Sequence, residues 1–368
     1  MDPALYKQHT TTRGLKYNYF AAPGDAFKPT LLFVAFFKNA GYSIIVPDLL
    51  GYGSTDKPTD PALYKYSVMC ADIVEILDLE GARDVIAIGH DCASTVARLV
   101  RTGVHRLGVA SYWIDVLLDD SRADPNGAVY DSPRLRYLSG AGDDERGSIL
   151  TSRLAVFHKN RFLAFAFLAV GYSPSAADFD YEKGLALTKQ ALGYETLGYW
   201  QFFCEDGADR VIKDHSESFL SIVHAADPQI WKTDFCPSGA LKACLTADKQ
   251  CAVGSYLSDK DKGIFKQNVD QGLGGALNWY RIMLLGIAAE DSKNIAEPQM
   301  LIEQPVFFGE AKHDAVAVPR LYLPQMQKLC TNLTVREYDC GHWVHLVLAD
   351  DVNSALADWI SGFKKPKL

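Results

Sequence analysis

The stretch that decides the fold is residues 84–93, which read Asp84-Val85-Ile86-Ala87-Ile88-Gly89-His90-Asp91-Cys92-Ala93. Its first half is a short apolar run, typical of a buried parallel strand, and a helical pattern begins after it at Ser94. Between the two stands a small-x-Asp-x-small turn, in which the small residues let the backbone pass close to itself. A turn of this kind holds its central side chain at the edge of the sheet, so Asp91 is a candidate nucleophile. Taken alone, Asp91 would equally fit a helix N-cap.

Apolar runs and helical patterns alternate on both sides of this stretch. Strands are expected at residues 30–34, 42–48, 84–88, 108–114, 304–309 and 333–338, and helices at 67–79, 94–100 and 351–363. Such alternation predicts an α/β fold with a doubly wound, mostly parallel sheet.

The middle of the chain has a different character. Residues 125–298 are rich in aromatic side chains and read as mostly helical, so we expect a helical cap there. The α/β core would then consist of residues 1–124 and 299–368. The apolar run from Phe162 to Val170 is too short to span a bilayer and is expected to be a buried or pocket-lining helix. A cap inserted in this way would lie over the carboxyl ends of the strands, where α/β sheets bind ligands.

Composition excludes several classes of function. The 368 residues are 48% hydrophobic and carry a net charge of −8 without a basic stripe, so a nucleic-acid partner is not expected. The nine histidines form no HExxH motif and the eight cysteines no CxxC motif, so neither a metal ion nor another cofactor is expected. Because the first residues lack the pattern of a signal peptide, the cysteines are expected to be reduced thiols.

The last three residues, Pro366-Lys367-Leu368, are similar to the C-terminal peroxisomal address whose usual form is SKL. We therefore expect import into the peroxisome through the receptor that reads this signal. The alternative is an ordinary basic tail on a cytoplasmic protein.

Two further residues follow strands in the second core segment. Asp314 comes after the run at 304–309, and His342 comes after the run at 333–338. A histidine in such a loop can act as a general base on water, and an acid beside it fixes its tautomer. Each residue alone would fit an ordinary turn or a surface position. The chain order nucleophile, acid, histidine favours the catalytic interpretation.

These segments resemble the α/β-hydrolases of the epoxide-hydrolase type, the fungal members most closely, and their near relatives the haloalkane dehalogenases. The resemblance rests on residues 46–58 (VPDLLGYGSTDKP), 89–91 (GHD) and 341–343 (GHW). It implies that Asp91 attacks carbon and forms an alkyl-enzyme ester, which water activated by His342 and Asp314 then hydrolyses. The backbone N–H of Cys92 would stabilise the oxyanion of that second step.

The same resemblance implies two cap tyrosines whose hydroxyls hold the epoxide oxygen. The segment Leu277-Asn278-Trp279-Tyr280-Arg281 points to Tyr280, and Tyr199-Trp200-Gln201-Phe202-Phe203 points to Tyr199. Two phenol donors would stabilise the alkoxide that ring opening creates. Core packing is the alternative role for either residue. Dehalogenases typically carry a tryptophan after the nucleophile, where this chain has Cys92.

One family feature is missing. Members carry a His-Gly-x-Pro loop after the first core strand, and this loop supplies an oxyanion N–H. Here Phe33-Val34 runs directly into Ala35-Phe36-Phe37. About seven residues remain between the two strands, where a parallel crossover needs roughly a dozen or more. Either a fragment was lost from the sequence as given, or the protein releases its product slowly.

The expected function is hydrolysis of a lipophilic epoxide to a diol, and the fungal resemblance suggests a secondary-metabolite or toxin pathway. The alternatives are a dehalogenase, another hydrolase of the same fold, or a catalytically impaired binding protein.

Overall fold

The molecule is built on one eight-stranded sheet, seen in a computed structural model that describes residues 3–32, 41–90 and 147–363. Its strand order is β1-β2-β4-β3-β5-β6-β7-β8. The strands are β1 (Tyr6–Thr10), β2 (Lys16–Ala22), β3 (Thr30–Leu32), β4 (Ser43–Pro47), β5 (Val85–His90), β6 (Phe162–Leu168), β7 (Val306–Ala311) and β8 (Leu333–Tyr338). The strands β1 and β2 pair antiparallel, as do β2 and β4, and every pairing from β4 to β8 is parallel. The predicted α/β fold with a mostly parallel sheet is confirmed.

Helices cover the sheet and form the layer above its carboxyl edge. They are α1 (Tyr66–Leu79), α2 (Gly147–Phe157), α3 (Tyr181–Leu192), α4 (Tyr199–Cys204), α5 (Ala208–Asp214), α6 (Ser216–Val223), α7 (Ala240–Thr246), α8 (Asp259–Asp270), α9 (Asn278–Leu284), α10 (Ile287–Ser292), α11 (Glu297–Met300), α12 (Pro319–Leu329), α13 (Val344–Val347) and α14 (Ala349–Ser361). The first and last of these match the helices predicted at 67–79 and 351–363 to within two residues.

The expectation of a helix over Phe162 to Val170 is wrong. These residues form β6, which pairs in parallel with β5 on one side and with β7 on the other. All of its residues except Leu163 are buried, because both faces of the strand lie against core layers. Such a run lacks any polar alternation, so its periodicity does not separate a strand from a buried helix.

The strand β6 lies in the core sheet although its residues fall within the range predicted for the cap. The division into core and cap at residues 124 and 299 stays a prediction. The helix expected at 94–100 and the strand expected at 108–114 lie outside the described residues, as does the join after Val34.

Hydrogen bonds join helix α9 of the helical layer to the loop that follows β4. The side chain of Asn278 donates to the carbonyl oxygens of Pro58 and Thr59, at 3.0 and 3.2 Å, and Nε1 of Trp279 donates to the carbonyl of Leu50 at 2.8 Å. A Cβ on Gly51 would lie 2.8 Å from the backbone of Gly275, so only glycine permits this close approach. Helix α9 is therefore held in a fixed orientation, which sets where Tyr280 points.

Within the described ranges, no helix combines the length and the apolarity needed to cross a bilayer. The same part of the chain contains no group of three potential metal-ligating side chains. Its seven cysteines are free thiols.

Candidate active site

Asp314 and His342 follow neighbouring strands of the sheet. Asp314 stands three residues beyond the end of β7, and His342 stands four residues beyond the end of β8. Because these strands are parallel, their carboxyl ends lie at the same edge, and the two loops meet there.

The two side chains form a buried pair. Nδ1 of His342 lies 2.5 Å from Oδ2 of Asp314, and both side chains are almost fully buried. The other carboxylate oxygen of Asp314 accepts from the backbone N–H groups of Val316 and Ala317, at 2.8 and 2.9 Å. These bonds fix the carboxylate. Since Nδ1 then carries the hydrogen, Nε2 is the basic nitrogen of a neutral His342 ring.

The end of β5 lies against this pair. Nε2 of His90, the last residue of β5, donates to the backbone carbonyl of His342 at 3.0 Å. Burial and the neighbouring His345 and His342 hold the pKa of His90 well below its usual value, so its ring is neutral at pH 7. The residue that precedes the predicted nucleophile is thus in direct contact with the predicted base. Asp91 and Cys92 themselves lie outside the described residues.

Tyr199 and Tyr280 lie beside each other above the sheet. Tyr199 is on α4 and Tyr280 is on α9, and their ring centroids are 6.1 Å apart in an edge-to-face arrangement. Both side chains are buried, with relative exposures of 0% and 1%. The ring of Phe203 packs against Tyr280 at 4.7 Å. The structure therefore brings together two tyrosines that are 81 positions apart in the sequence.

A continuous row of aromatic rings joins the tyrosines to the histidine. Tyr199 packs against Phe235 at 4.3 Å, Phe235 against Trp231 at 4.8 Å, and Trp231 against His342 at 5.3 Å between centroids. Trp231 and Phe235 are the two ends of a single π-helical turn, Trp231–Phe235, and both are buried. We call Tyr280, Tyr199, Phe235, Trp231 and His342 the aromatic row. It shows that the tyrosines and His342 border one apolar region.

A cavity of about 250 Å³ opens next to His342. Its walls are mostly apolar and include Val223, Trp231, Ala315 and Trp343. Tyr199 and Tyr280 are not among the residues that line it, so this cavity covers the histidine end of the aromatic row only.

The sequence analysis assigned no role to Trp231, His90 or His345, which the structure places in this region. The rings of His90 and His345 lie 4.0 Å apart, which adds a third histidine beside His342. Only His90 carried a signal, because it stands next to Asp91 in the turn. The catalytic roles of Asp91, Asp314, His342, Tyr199 and Tyr280, and of the Cys92 N–H, stay predictions.

A fourth histidine predicts acid sensitivity of the fold. Burial, and then the nearby His342 and His345, lower the pKa of His224 to about 3 from its usual value of 6.5. Between these pH values the unfolded chain binds a proton at His224 that the folded chain does not. The free energy of unfolding is therefore expected to fall as the pH drops below 6.5, by on the order of 1 kcal/mol per pH unit.

Urea unfolding at pH 7 and pH 5 measures this effect. His224→Phe should show a smaller loss of stability between the two pH values than the parent protein. Tyr256→Phe is the control, because it removes the hydroxyl that lies 3.4 Å from Nδ1 of His224 and leaves the imidazole in place. An equal acid-induced loss in the parent and in His224→Phe would show that His224 is not responsible.

Comparison with known proteins gives one family match. Residues 21–100 match the family model described as alpha/beta hydrolase fold. Among curated proteins, the chain is 20% identical over 339 residues to a bifunctional epoxide hydrolase 2 of Sus scrofa, covering 88% of this chain and 47% of the relative. It is also 34% identical over 100 residues to epoxide hydrolase 4 of Mus musculus, covering 24% of this chain and 28% of the relative. The chain thus spans less than half the length of these curated relatives.

Solved structures match over nearly the whole chain. An epoxide hydrolase from an endophytic Streptomyces superposes with a TM-score of 0.69 at 20% identity, covering 97% of this chain and 95% of that one. Epoxide hydrolase A of Mycobacterium thermoresistibile gives 0.64 at 19% identity, covering 97% and 98%. At these identities the likeness shows the fold that the two chains share.

Proposed function

We propose that this epoxide-hydrolase-like α/β-hydrolase opens a lipophilic epoxide to a diol through an alkyl ester on Asp91. The observation that carries the proposal is the arrangement of the described site. The buried Tyr199–Tyr280 pair and the buried His342–Asp314 pair are joined by one aromatic row, and the strand that leads to Asp91 ends against His342.

The first step is ring opening. An oxygen of the Asp91 carboxylate forms a bond to a ring carbon while the carbon–oxygen bond of the epoxide breaks. The electron pair goes to the epoxide oxygen, which takes a proton from a hydroxyl of the Tyr199–Tyr280 pair. Two phenol donors favour this step because they stabilise charge that is absent from the starting epoxide.

The second step is hydrolysis of the ester. Nε2 of His342 takes a proton from water as the water oxygen adds to the carboxyl carbon of Asp91. The ester bond then breaks, and the proton passes from His342 to the leaving oxygen, which completes the diol. The carboxylic acid left on Asp91 carries the hydrogen that came with the water oxygen, and the loss of this proton to the tyrosinate of the first step restores both the carboxylate and the phenol. Asp314 holds the ring in the required tautomer and stabilises its charged form.

The lining of the site favours an apolar substrate. Trp231, Phe235 and Val223 are fully or almost fully buried carbon-rich side chains beside the reacting groups. Such walls gain free energy by covering apolar surface and offer few polar partners. Long-chain or aromatic epoxides fit these walls better than small polar ones.

We further propose that ester hydrolysis limits turnover. Only residues 33–42 connect β3 to β4, although these strands are parallel neighbours. A chain without the His-Gly-x-Pro loop keeps one predicted oxyanion donor, the N–H of Cys92. Losing one such donor costs roughly 10²–10³ in rate.

Intact-mass spectrometry after exposure to a lipophilic epoxide such as styrene oxide tests the mechanism. We expect an adduct equal to the mass of the epoxide, located by peptide mapping on Asp91 and absent from Asp91→Asn in freshly prepared protein. In a single turnover in ¹⁸O-labelled water, the label should enter Asp91 and not the diol, because water attacks the carboxyl carbon. Label in the diol during that first turnover would contradict the ester mechanism.

Location and pathway belong to the same proposal. Pro366-Lys367-Leu368 lies outside the described residues, and its similarity to a peroxisomal signal supports import. A fluorescent protein fused before residue 1 should enter peroxisomes, and removal of Leu368 should keep it in the cytoplasm.

The resemblance to fungal members supports a role in secondary-metabolite or toxin synthesis. A strain lacking the gene should then accumulate an epoxide.

A further inference from the structure

Helix α2 begins where β5 ends. A Cβ on Gly89, near the end of β5, would lie 2.3 Å from the carbonyl carbon of Gly147, the first residue of α2. A Cβ on Gly147 would in turn lie 3.0 Å from the backbone nitrogen of His90. The hydroxyl of the next residue, Ser148, donates to the carbonyl of Gly89 at 2.9 Å. The two backbones therefore touch, although residues 90–146 lie between the two glycines in the sequence.

The same helix completes a strand–helix–strand unit. Its residues Leu150, Leu154 and Ala155 are fully buried in the core cluster that contains Val85 and Ala87 of β5. It ends at Phe157, and a short 3₁₀ turn at Lys159–Arg161 leads into β6, which is parallel to β5. A parallel crossover needs a helix of about this length and nothing more. The path from β5 to β6 therefore needs no residue of the range 93–146.

The contact also fits the spacing of a nucleophile turn. Such a turn needs a small residue two places before and two places after the nucleophile, because their backbones pass close together. The sequence offers Gly89 and Ala93, but the residue that the structure places against Gly89 is Gly147. Joining Cys92 directly to Gly147 gives Gly89-His90-Asp91-Cys92-Gly147, which has the required spacing.

We propose that residues 93–146 are an insertion within an otherwise complete nucleophile turn, and that α2 is the helix that belongs to it. Gly147 is then a positioning residue for Asp91, because the start of α2 lies against Gly89 and His90, the two residues that precede the nucleophile. Insertions are tolerated where their two ends leave and re-enter the fold at one place, as they do here. The inference rests on the proposed function only for the role of Asp91, since the packing of α2 on β5 is independent of it.

Deletion of residues 93–146 from the full chain tests the proposal. We expect the variant to be folded, with a melting temperature at least as high as that of the full chain, because no part of the framework is removed. A second variant, with residues 94–146 replaced by Gly-Ser-Gly, allows for strain at the direct join. Folding of either variant supports the proposal. If neither variant folds, residues 93–146 are part of the framework and the proposal is wrong.

Epoxide turnover separates this inference from the proposed function. A deletion variant that folds and forms the Asp91 adduct at least as fast as the full chain supports both. A deletion variant that folds while neither it nor the full chain reacts with epoxides supports the insertion and refutes the proposed function.

A single substitution in the full chain gives an independent measurement. Gly147→Ala should lower the melting temperature, because its Cβ meets the backbone of Gly89 and His90. Gly263→Ala is the matched control on helix α8, where an added Cβ meets no atom within 4 Å. Equal melting temperatures for Gly147→Ala and the parent protein would contradict the contact between α2 and β5.

Discussion

His342→Gln is expected to lower steady-state epoxide turnover by roughly 10²–10⁴ while the covalent adduct on Asp91 accumulates. The substitution removes the basic nitrogen that activates water in the proposed mechanism, and it keeps a polar side chain of similar length. In the proposed mechanism, ring opening needs Asp91 and the tyrosines and not this base, so the first step should continue. Intact-mass spectrometry and diol formation, measured on the same samples, report the two steps separately.

A matched control exists on the surface of the same chain. Nδ1 of His215 lies 2.7 Å from Oδ1 of Asp248, in a histidine–aspartate pair that is far more exposed than the His342–Asp314 pair. His215→Gln should leave both adduct formation and turnover unchanged. If His342→Gln turned over as fast as the parent protein, or formed no adduct while the parent did, the assignment of His342 as the hydrolytic base would be wrong.

The double variant Tyr199→Phe/Tyr280→Phe is expected to abolish measurable ring opening. Each single variant should slow adduct formation by roughly 10²–10³, because removing one hydrogen-bond donor from a developing oxyanion has an effect of this size. Phenylalanine keeps the edge-to-face packing of the two rings, so the fold should persist. Rapid-quench mass spectrometry of the first turnover measures the rate of adduct formation directly.

Tyr172→Phe is the control for the loss of a buried hydroxyl. Tyr172 is fully buried in another core cluster, where its hydroxyl donates to the carbonyl of Met300 at 2.8 Å. Tyr172→Phe should lower the free energy of unfolding without slowing the formation of the adduct on Asp91. Adduct formation at the parent rate in the double variant would show that Tyr199 and Tyr280 are packing residues only.

The sequence by itself determined the fold class and the order of the candidate groups. Apolar runs at Ile44–Ile45, Val85–Ile88 and Val306–Phe308 are buried in strands of the parallel part of the sheet, as expected. Because parallel strands bring their carboxyl ends to one edge, the positions of Asp314 and His342 after neighbouring strands were enough to predict that they meet. The motif around Tyr280 was recognised from the family resemblance alone. The structure adds that Asn278 and Trp279 of this motif donate hydrogen bonds to the loop that follows β4.

Only the tertiary structure decided which elements lie between the predicted strands and the candidate site residues. Phe162–Leu168 is a strand because β5 and β7 offer it partners on both sides, which no local pattern in an all-apolar run can reveal. The aromatic row depends on packing between elements far apart in the chain. Gly147 meets Gly89 across an interval of 58 positions, so the end of β5 packs against a helix that the neighbouring sequence does not contain. Local sequence specifies the strand and offers a candidate nucleophile, whereas long-range packing specifies what surrounds the end of that strand.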